Sequence, residues 1–139
     1  VKLAKISRQL MKGSSREKIE LLSHLNDIFE SYNPHIADFD AIIGLLVEGA
    51  LKEGDPEVRQ EFFETLVKAG VFRDIRSINL DKLVESMESL SADELARAID
   101  VLSFTHNRKY LPAIERHRGH ENPHVREAVA TALQEMGAD

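Results

Sequence analysis

The sequence predicts an all-α fold of about seven helices, arranged as antiparallel pairs and stacked as an α-solenoid. Three observations predict it. Apolar residues recur at steps of three and four along most of the chain, and no segment alternates as a half-buried strand would. Helix start and stop residues fall between those stripes. One helical segment also recurs without a gap further down the chain, which is how repeat architectures show themselves in sequence.

Residues 1–18 include Leu3, Ile6, Leu10 and Met11 on one helical face, predicting a first helix, or part of one, packed on the body. The next stretch, SSREKIELLSHLNDIFESY over 14–32, opens on a serine cap. It carries Ile19, Leu22, Leu25, Ile28, Phe29 and Tyr32 as one stripe until Asn33-Pro34 breaks it. These segments, within residues 1–35, are expected to cap the rest. Residues 36–53 follow with Ile36, Phe39, Ile42, Ile43, Leu46, Val47 and Ala50; Leu45 and Leu51 lie off the stripe, as in a helix covered on several sides. Gly44 and Gly49 weaken such a helix and are expected where a neighbouring backbone comes close.

Asp55 is a natural N-cap and Pro56 suits a first helical position. The helix they start, 56–69, spends Val58, Phe62, Leu66 and Ala69 on its core side and is expected to stop at Gly70. A linker with Arg73 and Arg76 leads to a helix through Leu80, Leu83, Val84, Met87 and Leu90. Ser91-Ala92-Asp93-Glu94 is a capping-box signature for the next helix, with Leu95, Ile99 and Leu102, expected to stop at Asn107. A short helix with Tyr110, Leu111 and Ile114 ends near Gly119. The last helix starts at Asn122-Pro123 and uses Val125, Val129, Ala132, Leu133 and Met136, with Gly137 after it.

The repeat links these pieces. DPEVRQEFFETLVKAG, residues 55–70, aligns with NPHVREAVATALQEMG, residues 122–137. Pro56 pairs with Pro123, Val58 with Val125, Arg59 with Arg126, Leu66 with Leu133 and Gly70 with Gly137. The offset of 67 is about two helical hairpins, so a third copy belongs between them. ADELARAIDVLSFTHN, residues 92–107, fills that place with a register open by one residue. In these features the chain resembles the HEAT-repeat (armadillo-like) family. RKYLPAIERHRGHENPHVREAVATALQEMG, residues 108–137, is similar to one complete HEAT unit, and GDPEVRQEFFETLVKAG to the second half of an earlier one. The resemblance runs from about residue 36 to 137. Phe62, bulky where the family usually has a small residue, and the long linker around Arg73 to Asn79 depart from it.

A length of 139 residues is that of one ordinary domain, so a single domain over residues 1–139 is expected. The resemblance implies a protein–protein interaction scaffold or regulatory subunit with another protein as partner. A lyase-like or chaperone-like HEAT protein acting on a chromophore-bearing partner is the alternative it leaves open. The residues themselves offer no nucleophile motif, phosphate-binding glycine loop or dinucleotide fingerprint, so no enzyme activity and no cofactor is expected. There is no cysteine, which excludes disulfides and thiolate metal sites and fits a cytoplasmic location. No apolar run reaches bilayer length, and the start VKLAKISRQLMKG has no long apolar stretch of the signal-peptide kind.

Charge is unevenly placed. Lys2, Lys5, Arg8, Lys12, Arg16 and Lys18 against Glu17 alone give residues 1–18 a charge of +5, leaving −11 for the remainder of a chain whose total is −6. An acidic body argues against broad nucleic-acid binding, which needs a positive surface. The basic N-terminal segment remains able to contact an anionic surface.

HRGHENPH, residues 117–124, places three of the six histidines beside Glu121. Zinc needs three or four converging ligands. Gly119 interrupts the spacing here, and the Asp55-Pro56 corner does the same job with no histidine, so the stretch reads as a helix corner. Arg59 and Arg126 are expected to bond turn oxygens, as the corresponding arginine commonly does in HEAT units. For a partner, Phe63, Val67 and Phe104 fall off the core set of the second helices, next to Glu64 and Asp100. They are expected to form an exposed apolar ridge with a charged rim.

Overall fold

The computed structural model describes residues 2–138. Among them all the regular secondary structure is helical, with eight α-helices, two short 3-10 segments and no strand. It divides into two compact units, Val1–Arg73 and Asp74–Asp139.

The first unit holds α1 (Leu3–Lys12), α2 (Ser15–Glu30), α3 (Phe39–Lys52) and α4 (Pro56–Phe72). Here α1 packs on α2 and α3, and α4 packs on the same two helices. The apolar stripes read from the sequence are the buried faces: Ile6 and Leu10, then Leu22, Leu25 and Phe29, then Ile43 and Leu46, then Val58, Phe62 and Leu66. Removing each such side chain from water contributes about 1.5–3 kcal/mol. Ser14 starts α2 through a reciprocal capping box with Glu17.

Several boundaries differ from expectation. Tyr32 lies beyond the end of α2 and is fully exposed. The third helix starts at Phe39, after Asp38 takes a left-handed φ of 58°, and so excludes Ile36. Gly70 does not stop α4, which runs on to Phe72; an interior glycine costs a helix only about 1 kcal/mol. The end of α4 is fixed instead by Arg73, whose guanidinium donates to the carbonyls of Ile28, Phe29, Ser31 and Asn33. One side chain thereby reaches two of the last carbonyls of α2, those of Ile28 and Phe29, and two just beyond its end. Gly49 is needed for a close approach, but of a side chain rather than a backbone: an added Cβ would overlap the Phe62 ring. Gly44 faces open space.

The second unit holds α5 (Asp81–Glu85), a 3-10 segment (Met87–Ser89), α6 (Ala92–Phe104), a second 3-10 segment (Arg108–Tyr110), α7 (Leu111–Glu115) and α8 (Pro123–Glu135). Both α6 and α7 pack on α8. The expected helix through Leu80 to Leu90 is one short α-helix and a 3-10 turn. The Ser86 amide bonds back three residues to Leu83, and the Ser89 hydroxyl donates to the Ser86 carbonyl at 2.8 Å. Such local bonds compete with a continuing α-helix. The preceding linker is not bare, since Ile75, Ile78 and Leu80 are buried. Tyr110 pins it: its hydroxyl accepts from the Leu80 amide at 2.7 Å and donates to Asp81 Oδ1 at 2.9 Å.

Ser91 and Glu94 form the predicted capping box of α6. Asn107 does not stop that helix. The chain leaves it at Thr105 and His106, where φ is 52°, and Asn107 caps the following 3-10 turn by accepting from the Lys109 amide. The cap also settles the register of the third copy. Ser91, not Ala92, stands where Asp55 and Asn122 stand. Phe62, Thr65 and Leu66 then correspond to Ala98, Val101 and Leu102 and to Val129, Ala132 and Leu133, and all nine are buried.

Candidate interaction surfaces

The corners before α4 and α8 are built alike in their caps, their bracing residue and one arginine bond. Asp55 accepts from the Glu57 amide at 3.0 Å, and Asn122 from the His124 amide at 2.8 Å. Two residues earlier, the Glu53 carboxylate accepts from the Asp55 amide at 3.0 Å, while His120 Nδ1 accepts from the Asn122 amide at the same distance. Arg59 donates to the carbonyls of Leu51 and Glu53, and Arg126 to those of His120 and Glu121. Both arginines therefore bond turn oxygens.

This assigns the histidines of HRGHENPH. His120 does in the second unit what Glu53 does in the first. His117 is buried at the end of the α7 segment, its Nε2 3.7 Å from Glu88 Oε1. Burial lowers its pKa, against the opposing pull of Glu88. The His124 side chain is exposed in the first turn of α8. Among the described residues no three His, Asp or Glu side chains converge as a metal ion requires.

The expected ridge of Phe63, Val67 and Phe104 is not an exposed set. Phe63 has no accessible surface, and the Arg59 guanidinium sits 5.7 Å from its ring centroid. Val67 in the first unit and Phe104 in the second are half-buried. Phe63 drops out as a surface residue because the buried sector of α4 is wider than the single stripe: Phe62, Phe63, Thr65 and Leu66 are all within it. Of the rim residues, Asp100 is partly buried, and burial raises its carboxyl pKa against the opposing pull of Arg97.

Among the described residues the exposed large apolar side chains are Tyr32, Val71 and Phe72. All three belong to the first unit, at the ends of α2 and α4. Arg73 joins those ends, donating to the carbonyls on either side of Tyr32 while following Phe72 in the chain. The sequence marked Tyr32 as core because it continues the α2 stripe; nothing local signalled that Arg73, some forty residues away, closes the helix before it.

The start of the first unit is different in chemistry. The α1 helix buries Ile6 and Leu10 and exposes Lys2, Lys5, Arg8 and Lys12. A cleft of about 370 Å³ beside it is lined by Lys5, Arg8, Gln9, Lys12, Gly13 and Glu17. No helix among the described residues is long and apolar enough to cross a membrane. A scan against protein-family models found no match, and searches of curated proteins and of solved structures found none either.

Proposed function

We propose that this chain is a non-catalytic protein-interaction module, built from HEAT-like helix pairs that stack as a solenoid. The observation that carries this reading is the repeated corner. A side-chain cap, a proline in the first turn and an arginine bonded to the turn carbonyls recur before α4 and α8. A fold made by repeating one structural unit presents an extended surface rather than a deep pocket, which suits binding another protein. The internal packing of each unit is consistent with it. In each, the second helix of one pair lies on the second helix of the next: α2 on α4, and α6 on α8. Tyr32, Val71 and Phe72 are the exposed apolar side chains with which the first unit would meet a partner.

The test is affinity capture with the full chain as bait in extract of the native host, followed by reconstitution with the captured protein. A single protein retained in fixed proportion, and lost with Tyr32→Ser/Phe72→Ser at an unchanged melting temperature, is the expected result. A bait that retains no protein above background, or that acquires the visible absorbance of added bilin or haem, would overturn the reading.

A further inference from the structure

The outer face of α1 carries a row of positive charge that the rest of the chain leaves unanswered. Lys2, Lys5, Arg8 and Lys12 follow one another at steps of three and four, so their side chains share a face of the helix. Among the described residues none of the four has an ion-pair or side-chain hydrogen-bond partner. This is unusual for this chain. Arg16, Lys18, Lys52, Lys68, Arg76, Lys109, Arg116 and Arg118 all reach carboxylates. Arg73, Arg108 and Arg126 reach backbone carbonyls.

The N-terminal part of the row works against its own helix, whereas Lys12 in the last turn suits the dipole. Like charges three and four residues apart repel. Lys2 stands at the N-cap without a capping bond, and no acidic residue occupies the first turn, so cations sit at the positive end of the helix dipole. The helix is held by its buried face, with Ile6 and Leu10 almost fully covered. A local arrangement that costs stability with no compensation inside the chain is what a binding surface looks like before its partner arrives.

The cleft gives the row a shape. Lys5, Arg8 and Lys12 line it with Gln9, Gly13 at the end of α1 and Glu17 in the first turn of α2. The carboxylate that enters it, Glu17, is occupied in the capping box by the Ser14 amide at 2.9 Å. The Gln9 amide donates to the Glu17 carbonyl at 3.1 Å. From Lys2 to Lys12 the row is about 15 Å long at 1.5 Å per residue. An extended segment of about five residues covers that length.

We infer that this face docks a short acidic segment of a partner protein, whose carboxylates pair with Lys5, Arg8 and Lys12. The inference takes its kind of partner from the reading of the chain as a protein-interaction module; the charge row stands without it. A bilayer is disfavoured because the apolar side of α1 is spent on the bundle and cannot enter lipid. An extended nucleic acid is disfavoured because residues beyond 18 carry a net −11, the chain total of −6 less the +5 of residues 1–18, and would repel a long polyanion. A narrow acidic peptide meets the row alone.

The experiment titrates the full chain with fluorescein-labelled deca-glutamate, and in parallel with labelled oligo-dT and with phosphatidylserine vesicles. Saturable binding of the peptide is expected, weakening steeply as salt is raised because contacts between exposed charges are screened. Lys5→Gln/Arg8→Gln/Lys12→Gln should weaken it at least tenfold while the dichroism melt holds or rises, since like-charge repulsion along α1 is relieved. Lys82→Gln/Arg116→Gln/Arg118→Gln, which removes equal charge elsewhere, should leave it intact. Equal loss in both triple variants, or stronger binding of the oligonucleotide or the vesicles than of the peptide, would overturn the inference. If the peptide binds as expected but affinity capture retains no protein, it is the proposed function that has failed and not the anion-binding site.

Discussion

In the first unit the corner before α4 is held from a neighbouring helix. Ser15 of α2 donates to Asp55 Oδ2 at 2.8 Å, and Lys18 of α2 pairs with Glu53 at 2.8 Å, with both side chains largely buried. In the second unit the equivalent corner before α8 is held by its own residues, His120, Asn122 and Arg126. The backbone geometry is the same; the chemistry that braces it is a buried ion pair in one copy and an imidazole in the other. A repeat therefore conserves the shape of the turn and leaves the bracing to whatever the neighbouring helix offers.

The buried positions of the repeat allow the strongest test of this equivalence. Leu66→Ala and Leu133→Ala should each cost about 2–5 kcal/mol in a denaturant melt, since both fill the same buried place. A neutral result at either would break the correspondence between the units. One step along, the copies diverge: Phe63 is fully buried, and its counterpart Ala130 is exposed. Phe63→Ser should cost several kcal/mol, whereas Ala130→Ser should stay within about 0.5 kcal/mol of the parent, as surface changes do.

The glycines of α3 come next in size. Gly49→Ala should destabilise by about 1–3 kcal/mol, because the new methyl meets the Phe62 ring inside a packed core. Gly44→Ala, which meets nothing, should stabilise by about 0.4–1 kcal/mol by restricting the unfolded chain. Equal effects of the two would show that the Gly49–Phe62 contact does not constrain the helix. A smaller change is expected at Thr65. Its hydroxyl is buried without a hydrogen-bond partner among the described residues, and its counterparts in the other copies are Val101 and Ala132. Thr65→Val should therefore gain about 1 kcal/mol; a loss would mean that the hydroxyl is satisfied in solution.

What was legible in the sequence was what short segments decide. The capping boxes at Ser14 and Ser91, the Asp55 and Asn122 caps and the all-helical character are local, and all are in the structure. The recurrence of Arg59 and Arg126 was visible too, because their partners lie within eight residues. The rest depended on distant groups. Arg73 closes α2 from more than forty residues away. Tyr110 fixes Leu80 across thirty. Phe63 is buried because tertiary packing covers a wider sector of α4 than one stripe implies. The expected exposed ridge failed for that reason, and the exposed Tyr32 and Phe72 escaped notice because a stripe does not reveal where a helix is made to end.

The smallest expected effect is the dependence of each unit on pH, and it separates the two units. In the first unit, burial alone would raise the pKa of Glu53, but the hydrogen bonds from Lys18 and the Asp55 amide and the Lys18 charge outweigh it, so its carboxyl titrates below its ordinary 4.5. Asp55 is lowered from 3.8 by the Ser15 hydroxyl and the Glu57 amide. For a carboxylate with a lowered folded pKa, the unfolded chain takes up the proton first as pH falls. The stabilisation is present above the unfolded value and lost on acidification through the folded one. The second unit has this behaviour at Asp74, brought down to about 2 by the Arg76 side chain and amide, and at Asp81, lowered by Tyr110 and Lys109. The raised pKa of Asp100 acts in the opposite sense, favouring the fold as it protonates. All of these lie in the carboxylate range. His117 does not. Its folded pKa is lowered from 6.5 by burial, so the unfolded histidine binds a proton that the folded one resists, and stability falls once pH drops below about 6.5. Hydrogen exchange of backbone amides, corrected for intrinsic rates, should show protection in α7 and α8 declining once pH drops below about 6.5, while protection in α3 and α4 holds until about pH 4.5. His117→Gln should remove the early decline from the second unit, and Glu53→Gln should blunt the acid step in the first. Parallel decline of both units through the histidine range in the parent protein would mean that His117 is not the group responsible, and that the two units do not respond separately to pH.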